Sequence, residues 1–300
     1  MIVSASRRTD IPAQHMPWLM QRLHEGYVLV RNPVSPRRVS RVPLTKDVLD
    51  GMVFWSKNPL PILPHLEQLR DIPFYIQFTL TPYGRDIEQN LPEKRALLDG
   101  FVQLSHILGP QRMVWRYDPI LLNAQWTADV HLASFRAMAK RLAGCTDTCV
   151  VSFLDPYRSM AARCALLHLQ YPSTDQMQEL FSRLSAAAND CGMHLCTCCE
   201  QLPDAPRSAC IDKARLERIL GTPLKLSPDK NQRSGCGCFE SVDIGAYDTC
   251  QNGCLYCYAT HRPVIALPPP DSPILGTLHP DDIVTDRKVV SQKILQTSLF

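Results

Sequence analysis

Phe74-Tyr-Ile-Gln-Phe-Thr79 decides the fold class. Every residue but Gln77 is aromatic or β-branched, and Pro73 stands before it as a turn signal. The run is too short for a helix. Its near-continuous apolar character is that of a strand buried on both faces of a parallel sheet. Runs of the same kind recur at Met1–Ser4, Tyr27–Val30, Met52–Trp55, Met113–Trp115, Val150–Phe153 and His194–Thr197. Leu224–Leu226 or Val242–Ile244 offers an eighth.

Helix patterns lie between these runs. Asn90 and Pro92 open one, with Leu97, Phe101, Leu104 and Leu108 on one face and Gly109-Pro110 as its stop. Thr127 is placed to cap a second, whose stripe is Leu132, Phe135, Ala139 and Leu142. Met177, Leu180, Phe181, Leu184 and Ala188 mark a third, and Asp212 caps a short fourth that ends at Gly221. Pro17 suits the first turn of a helix carrying Leu19, Met20 and Leu23. Alternating strands and helices make an α/β fold. The spacing suits a (β/α) barrel of the TIM type, complete or partial, over residues 1–230. A doubly wound open sheet is the rival, weakened because no Gly-x-Gly-x-x-Gly follows an early strand. Residues 231–300 are expected to form a cysteine-rich cluster-binding segment and a tail packed on the barrel. Pro263–Pro280, with six prolines, reads as an extended tail or linker.

The chain has 300 residues, 45% hydrophobic and 20% charged, a composition that excludes disordered and fibrous classes. A net charge of +3 is too mild to argue for nucleic acid. Serine-hydrolase elbows and Walker loops are absent from the sequence, and the histidines form no ligand-spaced pair. Arg7 and Arg8 follow the first residues with no apolar signal segment, and no apolar run would span a membrane. The expected location is a reducing cytoplasm, without membrane contact.

Polar residues sit directly after the strand runs: Arg7, Arg8 and Asp10; Arg31 and Asn32; Ser56, Lys57 and Asn58; Arg116, Tyr117 and Asp118; Asp155; Glu200. In a barrel they converge on the C-terminal face, where active sites lie. Arg7, Arg8, Lys57, Arg116 and Asp118 are the pocket candidates. The cations suit an anionic small-molecule substrate, and Asp118 suits hydrogen bonding or proton transfer.

Thirteen cysteines are distributed unevenly: residues 1–144 have none, and ten lie between Cys191 and Cys257. That is not a disulfide framework; in a reducing compartment it points to metal. Cys250-Gln-Asn-Gly-Cys254-Leu-Tyr-Cys257 supplies three thiolates to one iron–sulfur cluster and leaves one iron open. Cys196, Cys198, Cys199, Cys210, Cys236 and Cys238 offer a second set, four of which suit another [4Fe-4S] cluster or zinc. By spacing alone, Cys196 or Cys199 serves in place of Cys198. Cys145, Cys149, Cys164 and Cys191 read as small buried hydrophobes.

The 250–257 motif resembles the cluster loop of radical S-adenosylmethionine (SAM) enzymes, in which the open iron chelates SAM and the reduced cluster cleaves it homolytically. The resemblance implies Cys250, Cys254 and Cys257 as ligands of a [4Fe-4S] cluster and Tyr256 beside the adenine. In that superfamily the loop follows the first strand and a Gly-Gly-Glu segment meets SAM; here the loop comes late and that segment is absent. Ser4–Pro12, Val53–Pro59, Trp115–Pro119, Asn231–Arg233, Cys236–Cys238 and Asp243–Tyr247 resemble domain-of-unknown-function family 1848, from residue 1 to about residue 290. That family is noted for C-terminal cysteines of the radical SAM kind. Its pattern also implies Cys198, Cys210, Cys236 and Cys238 as the second set.

The leading expectation is therefore a radical SAM-like iron–sulfur enzyme with an electron donor such as ferredoxin or flavodoxin. The alternatives are a SAM-independent two-cluster oxidoreductase and a zinc-stapled module binding nucleic acid through its arginines.

Overall fold

The computed structural model describes residues 1–155, 160–233, 235–262, 264 and 266–294. In chain order the elements are β1 (Ile2–Ala5), α1 (Ile11–Gln14), α2 (Met16–Glu25), β2 (Tyr27–Arg31), β3 (Arg38–Pro43), β4 (Gly51–Ser56), α3 (Leu66–Leu69), β5 (Phe74–Thr79) and α4 (Lys94–Leu108). Then come β6 (Met113–Ile120), α5 (Ala128–Leu142), β7 (Thr148–Phe153), α6 (Ala161–Ala165), α7 (Thr174–Asn189), β8 (His194–Thr197), α8 (Lys213–Leu220), β9 (Val242–Asp243) and β10 (Ile283–Asp286). Two helix caps are those the sequence implies, Thr127 and Asp212; α4 starts at Lys94 after Glu93 rather than at Asn90, and the Ser173 cap is new. Thr127 accepts from Val130 N at 3.3 Å, Asp212 from Arg215 N at 3.1 Å, and Ser173 with Gln176 forms a capping box.

Seven strands form one sheet in the order β8-β7-β6-β5-β4-β1-β9, with every neighbouring pair parallel. The fold is mixed α/β. β8 and β9 stand at the two ends of the strand order, and no pairing joins them among the described residues. The eighth run resolves in favour of Val242–Asp243, which pairs with β1; Leu224 makes only an isolated bridge to Lys293.

Tyr27–Val30 does not belong to this sheet. β2 pairs antiparallel with β3, and β10 completes a separate three-stranded sheet. The reason is local. Only Gly26, at φ +75°, separates α2 from β2, and Asn32 then turns the chain back by accepting from Val34 N and Ser35 N at 2.9 and 3.0 Å. Arg31 and Asn32 therefore lie away from the strand ends of the main sheet, and Arg31 instead pairs with Asp282.

Period-2 alternation sends two sets of side chains to opposite faces. Phe54, Phe74, Ile76, Phe78, Trp115 and Val151 pack in one core with residues of α2, α4, α5 and α7. On the other face Ile2, Val53, Tyr75, Val114 and Val150 pack with Leu216 of α8 and with Cys210 and Cys238. The long helices cover one face, and α8 with the cysteine-bearing loops covers the other.

The proline-rich stretch is tied down. Trp18 donates to Ser272 O at 2.8 Å, Leu29 N to Pro273 O at 2.8 Å, and Ile274 and Leu275 are buried. Farther on, Ser291 Oγ and Gln292 N donate to Asp50 at 2.5 and 2.6 Å. Pro263 and Ile265 lie outside the described residues. No described helix is long and apolar enough to cross a membrane.

Candidate metal centre

The 250–257 loop is held by the segments that follow β1, β4 and β5. Asp10 Oδ2 accepts from Lys57 N at 2.8 Å and from Asn252 Nδ2 at 2.9 Å. Gln14 donates to Asn252 Oδ1 at 2.9 Å and accepts from Gln251 N at 2.8 Å. Leu255 N donates to Ile87 O at 3.0 Å, and Asn90 N to Asn252 O at 3.1 Å. Gly253 turns the loop at φ +68°, and a Cβ there would stand 2.9 Å from Asn90 Nδ2.

Cys250, Cys254 and Cys257 line a small cavity of about 130 Å³ together with Arg7, Arg8 and Lys57. Burial pushes the Cys250 thiol up to about 12 and the Cys254 thiol well above its ordinary value. Such thiols keep their protons near neutrality unless a cation joins them. Lys57 supplies charge beside them: burial pulls its pKa down, but Glu88 and then Cys254 outweigh that and raise it.

Glu88 is the residue the sequence reading missed. It is 1% exposed and accepts from Lys57 Nζ at 2.7 Å, from Thr81 Oγ1 at 2.8 Å, and from Lys94 and the Tyr256 hydroxyl. Burial pushes its pKa up, yet Lys57 and then Lys94 bring it down to about 2. Tyr256 is thus buried beneath the loop, with Lys57 Nζ 5.3 Å from its ring centre. The loop aromatic that lines the small cavity is Tyr258, whose hydroxyl donates to Arg7 O at 2.7 Å.

The second cysteine set gathers on the face covered by α8. Cys198 Sγ lies 3.8 Å from Cys210 Sγ, and Cys210 N donates to Cys238 Sγ at 3.2 Å. Cys236 packs against the same cluster. The bond from Cys210 holds the Cys238 thiol below its ordinary range against burial, with Arg7 adding to the effect. Cys199 meets the Cys198 thiol and Arg233, whereas Cys196 feels Asp212 and Arg215 instead. Cys145 and Cys149 lie in the main core, and Cys164 packs under the loop with Cys254 and Tyr256. Cys191 is partly buried against the main core.

Arg116 and Asp118 go with this second set. Arg116 donates to Cys210 Sγ at 3.0 Å and pairs with Asp118. Burial pushes the Asp118 carboxyl up, but Arg116 and Ser152 hold it below the usual range. Asp118 is thus an ionised carboxylate near neutrality, paired with Arg116. Glu200 accepts from Phe153 N at 2.8 Å and Cys199 N at 3.0 Å, and Asp155 pairs with Arg233.

Arg7 stands between the sets. It lines the small cavity, and on its other side Cys238, Cys210 and Cys236 raise its pKa against the pull of burial. Its Nη2 is buried with no hydrogen-bond partner. Asp243 fixes this arginine pair, accepting from Arg7 N at 2.8 Å, Arg8 Nε at 3.1 Å, and Ser4 and Ser6 at 2.7 Å each. Among the described residues no group of three or more His, Cys, Asp or Glu is drawn around one metal position. The donor chemistry fits a thiolate-held group nonetheless: each cysteine set faces cations that would offset thiolate charge, and one buried guanidinium N–H lacks an acceptor.

The family model described as "Domain of unknown function (DUF1848)" matches residues 2–259. The chain belongs to this family. The DUF1848 match takes in both cysteine sets, Glu88 and Asp243, and stops two residues past Cys257, short of the 290 that the sequence resemblance suggests. No curated protein and no solved structure matches the chain.

Proposed function

We propose that the protein is a radical SAM-like iron–sulfur enzyme, with Cys250, Cys254 and Cys257 holding a [4Fe-4S] cluster. The observation that carries this is the convergence of these three cysteines on one cavity with Arg7, Arg8 and Lys57. When bound, a cluster held by only three thiolates supplies an electron and an open iron for SAM. The chain's own part is electrostatic. Lys57 and Arg7 offset the thiolate charge, and the loops after β1, β4 and β5 fix the three donors.

The strand order supports a barrel-like curl of the main sheet. β1 and β4 to β8 follow one another in sequence and in space, all parallel, and residues after three of their ends meet at one loop. Free thiols throughout suit a reducing cytoplasm. The electron would come from a donor such as ferredoxin or flavodoxin.

A second reading, the SAM-independent two-cluster oxidoreductase, draws on Arg7, which touches the surroundings of both cysteine sets. In it Cys198, Cys210, Cys236 and Cys238 hold a further [4Fe-4S] cluster; in the first reading they hold a cluster or zinc.

Iron and sulfide are quantified in anaerobically purified wild type, Cys254→Ala and Cys236→Ala, and 5′-deoxyadenosine is measured after SAM and reductant. Each substitution should lower metal content, and wild type should form 5′-deoxyadenosine. Unchanged iron in both variants sinks the ligand assignments. A full complement of iron with no SAM cleavage favours the oxidoreductase, and zinc without iron removes both readings.

A further inference from the structure

A second, larger cleft of about 740 Å³ lies against the same loop. Cys250, Asn252, Gly253 and Cys254 line both spaces, so the loop borders each of them. The small cavity has no room for more than a compact group. The larger one has the volume of a small-molecule site.

Its lining has a sign. Arg163 and Arg262 face it, and no described lining residue is acidic. Among the described residues no carboxylate pairs with either arginine; Arg163 Nη2 donates to Cys257 O at 2.5 Å, which ties it to the loop but leaves its charge uncompensated. Amide side chains fill much of the rest. Gln14 and Asn252 hold each other, Asn90 spends Nδ2 on Gln251 O at 2.7 Å, and Asn58 Oδ1 has no partner. Two guanidinium groups with no carboxylate partner among the described residues, flanked by neutral amides, suit a planar or tetrahedral oxyanion on an otherwise polar molecule.

We propose that this cleft binds an anionic small molecule bearing a carboxylate or phosphate, held by Arg163 and Arg262. That this molecule is the substrate rests on the cluster reading above; the anion site does not. The site differs from the Arg7, Arg8 and Lys57 group, none of which lines the larger cleft.

The test is isothermal titration of the full-length protein with inorganic phosphate and, separately, with succinate, at two salt concentrations. Wild type, Arg262→Glu, Arg163→Gln and Arg136→Glu are compared, with iron quantified in each. Arg136 is exposed on α5 and serves as the charge control. Wild type should bind at least one anion, and the better one names the headgroup. Arg262→Glu should weaken binding by about tenfold or more, as loss of one charge-assisted contact would. Arg163→Gln should do likewise, with a change in iron content tolerated because Arg163 touches Cys257. Arg136→Glu should bind as wild type does. No binding by wild type to either anion overturns the proposal, and so does equal weakening by Arg136→Glu. If the protein proves free of iron while Arg262-dependent binding persists, the cluster reading falls and the anion site stands.

Discussion

Four side chains from separate stretches of the chain donate to Glu88, a residue that belongs to no motif. Glu88→Gln takes the charge from a buried carboxylate that neutralises two half-buried ammonium groups. Breaking such a buried pair costs about 3–5 kcal/mol, and urea unfolding at neutral pH should show a loss of that size. With a folded pKa near 2 against an ordinary 4.5, the charge contributes fully above pH 4.5 and is lost as pH falls toward 2. His131 acts in a higher window. Its ring accepts from Tyr117 Oη and donates to Leu121 O, both at 2.8 Å, and burial lowers its pKa from 6.5 to about 4. Below 6.5 the unfolded chain takes a proton that the folded ring refuses, so stability falls between pH 6.5 and 4, by about 3 kcal/mol at most. His131→Gln should flatten the slope of stability against pH between 7.5 and 5; an unchanged slope contradicts this. The Cys250 to Cys257 motif was legible at this scale because spacing within eight residues survives folding. Glu88 was not, because its partners Lys57, Lys94 and Tyr256 meet only through tertiary structure.

The longer helices and most of the parallel strands were legible because each carries its own period or apolar run and a stop; the short α1, α3 and α6 were missed because four or five residues hold too little period. β2 was misplaced because an apolar run does not say which sheet it joins; the deciding groups were Gly26 and Asn32, one on either side. β3 was missed, since Arg38, Ser40 and Arg41 dilute its apolar signal. Arg31 and Asp282 join the second sheet, with the Asp282 carboxyl held down to about 2 chiefly by Arg31. Asp282→Asn should speed amide exchange in β10 and leave β5 and β6 protected, as read by hydrogen exchange. Asp212→Ala should remove the α8 cap and cost about 1 kcal/mol in urea unfolding. Equal protection of β10 in both proteins would contradict the first of these.

Across the molecule, the segment after residue 266 reaches back to α2, β2, β3 and β4. Ile274 is 2% exposed among Leu29, Val39 and Tyr27, so Ile274→Ala should lower stability by about 2–3 kcal/mol in thermal or urea unfolding. Proline content suggested a linker. The prolines do keep this stretch extended, but an extended chain can also lie along a surface and bury the apolar residues between its prolines.

The loop of Cys250 to Cys257 rests on partners drawn from the first third of the chain: Asp10, Gln14, Lys57, Glu88 and Asn90. On a ribosome those partners emerge from 160 to 240 residues before Cys250, the first thiol they receive. The cavity walls are therefore finished late, by contacts of long sequence separation, which are slow to close. Until then the half-built walls wait open. Under the cluster proposal, loading belongs after release of the chain, and a translation arrest short of residue 257 would leave a body of helices and strands without the full set of three thiols.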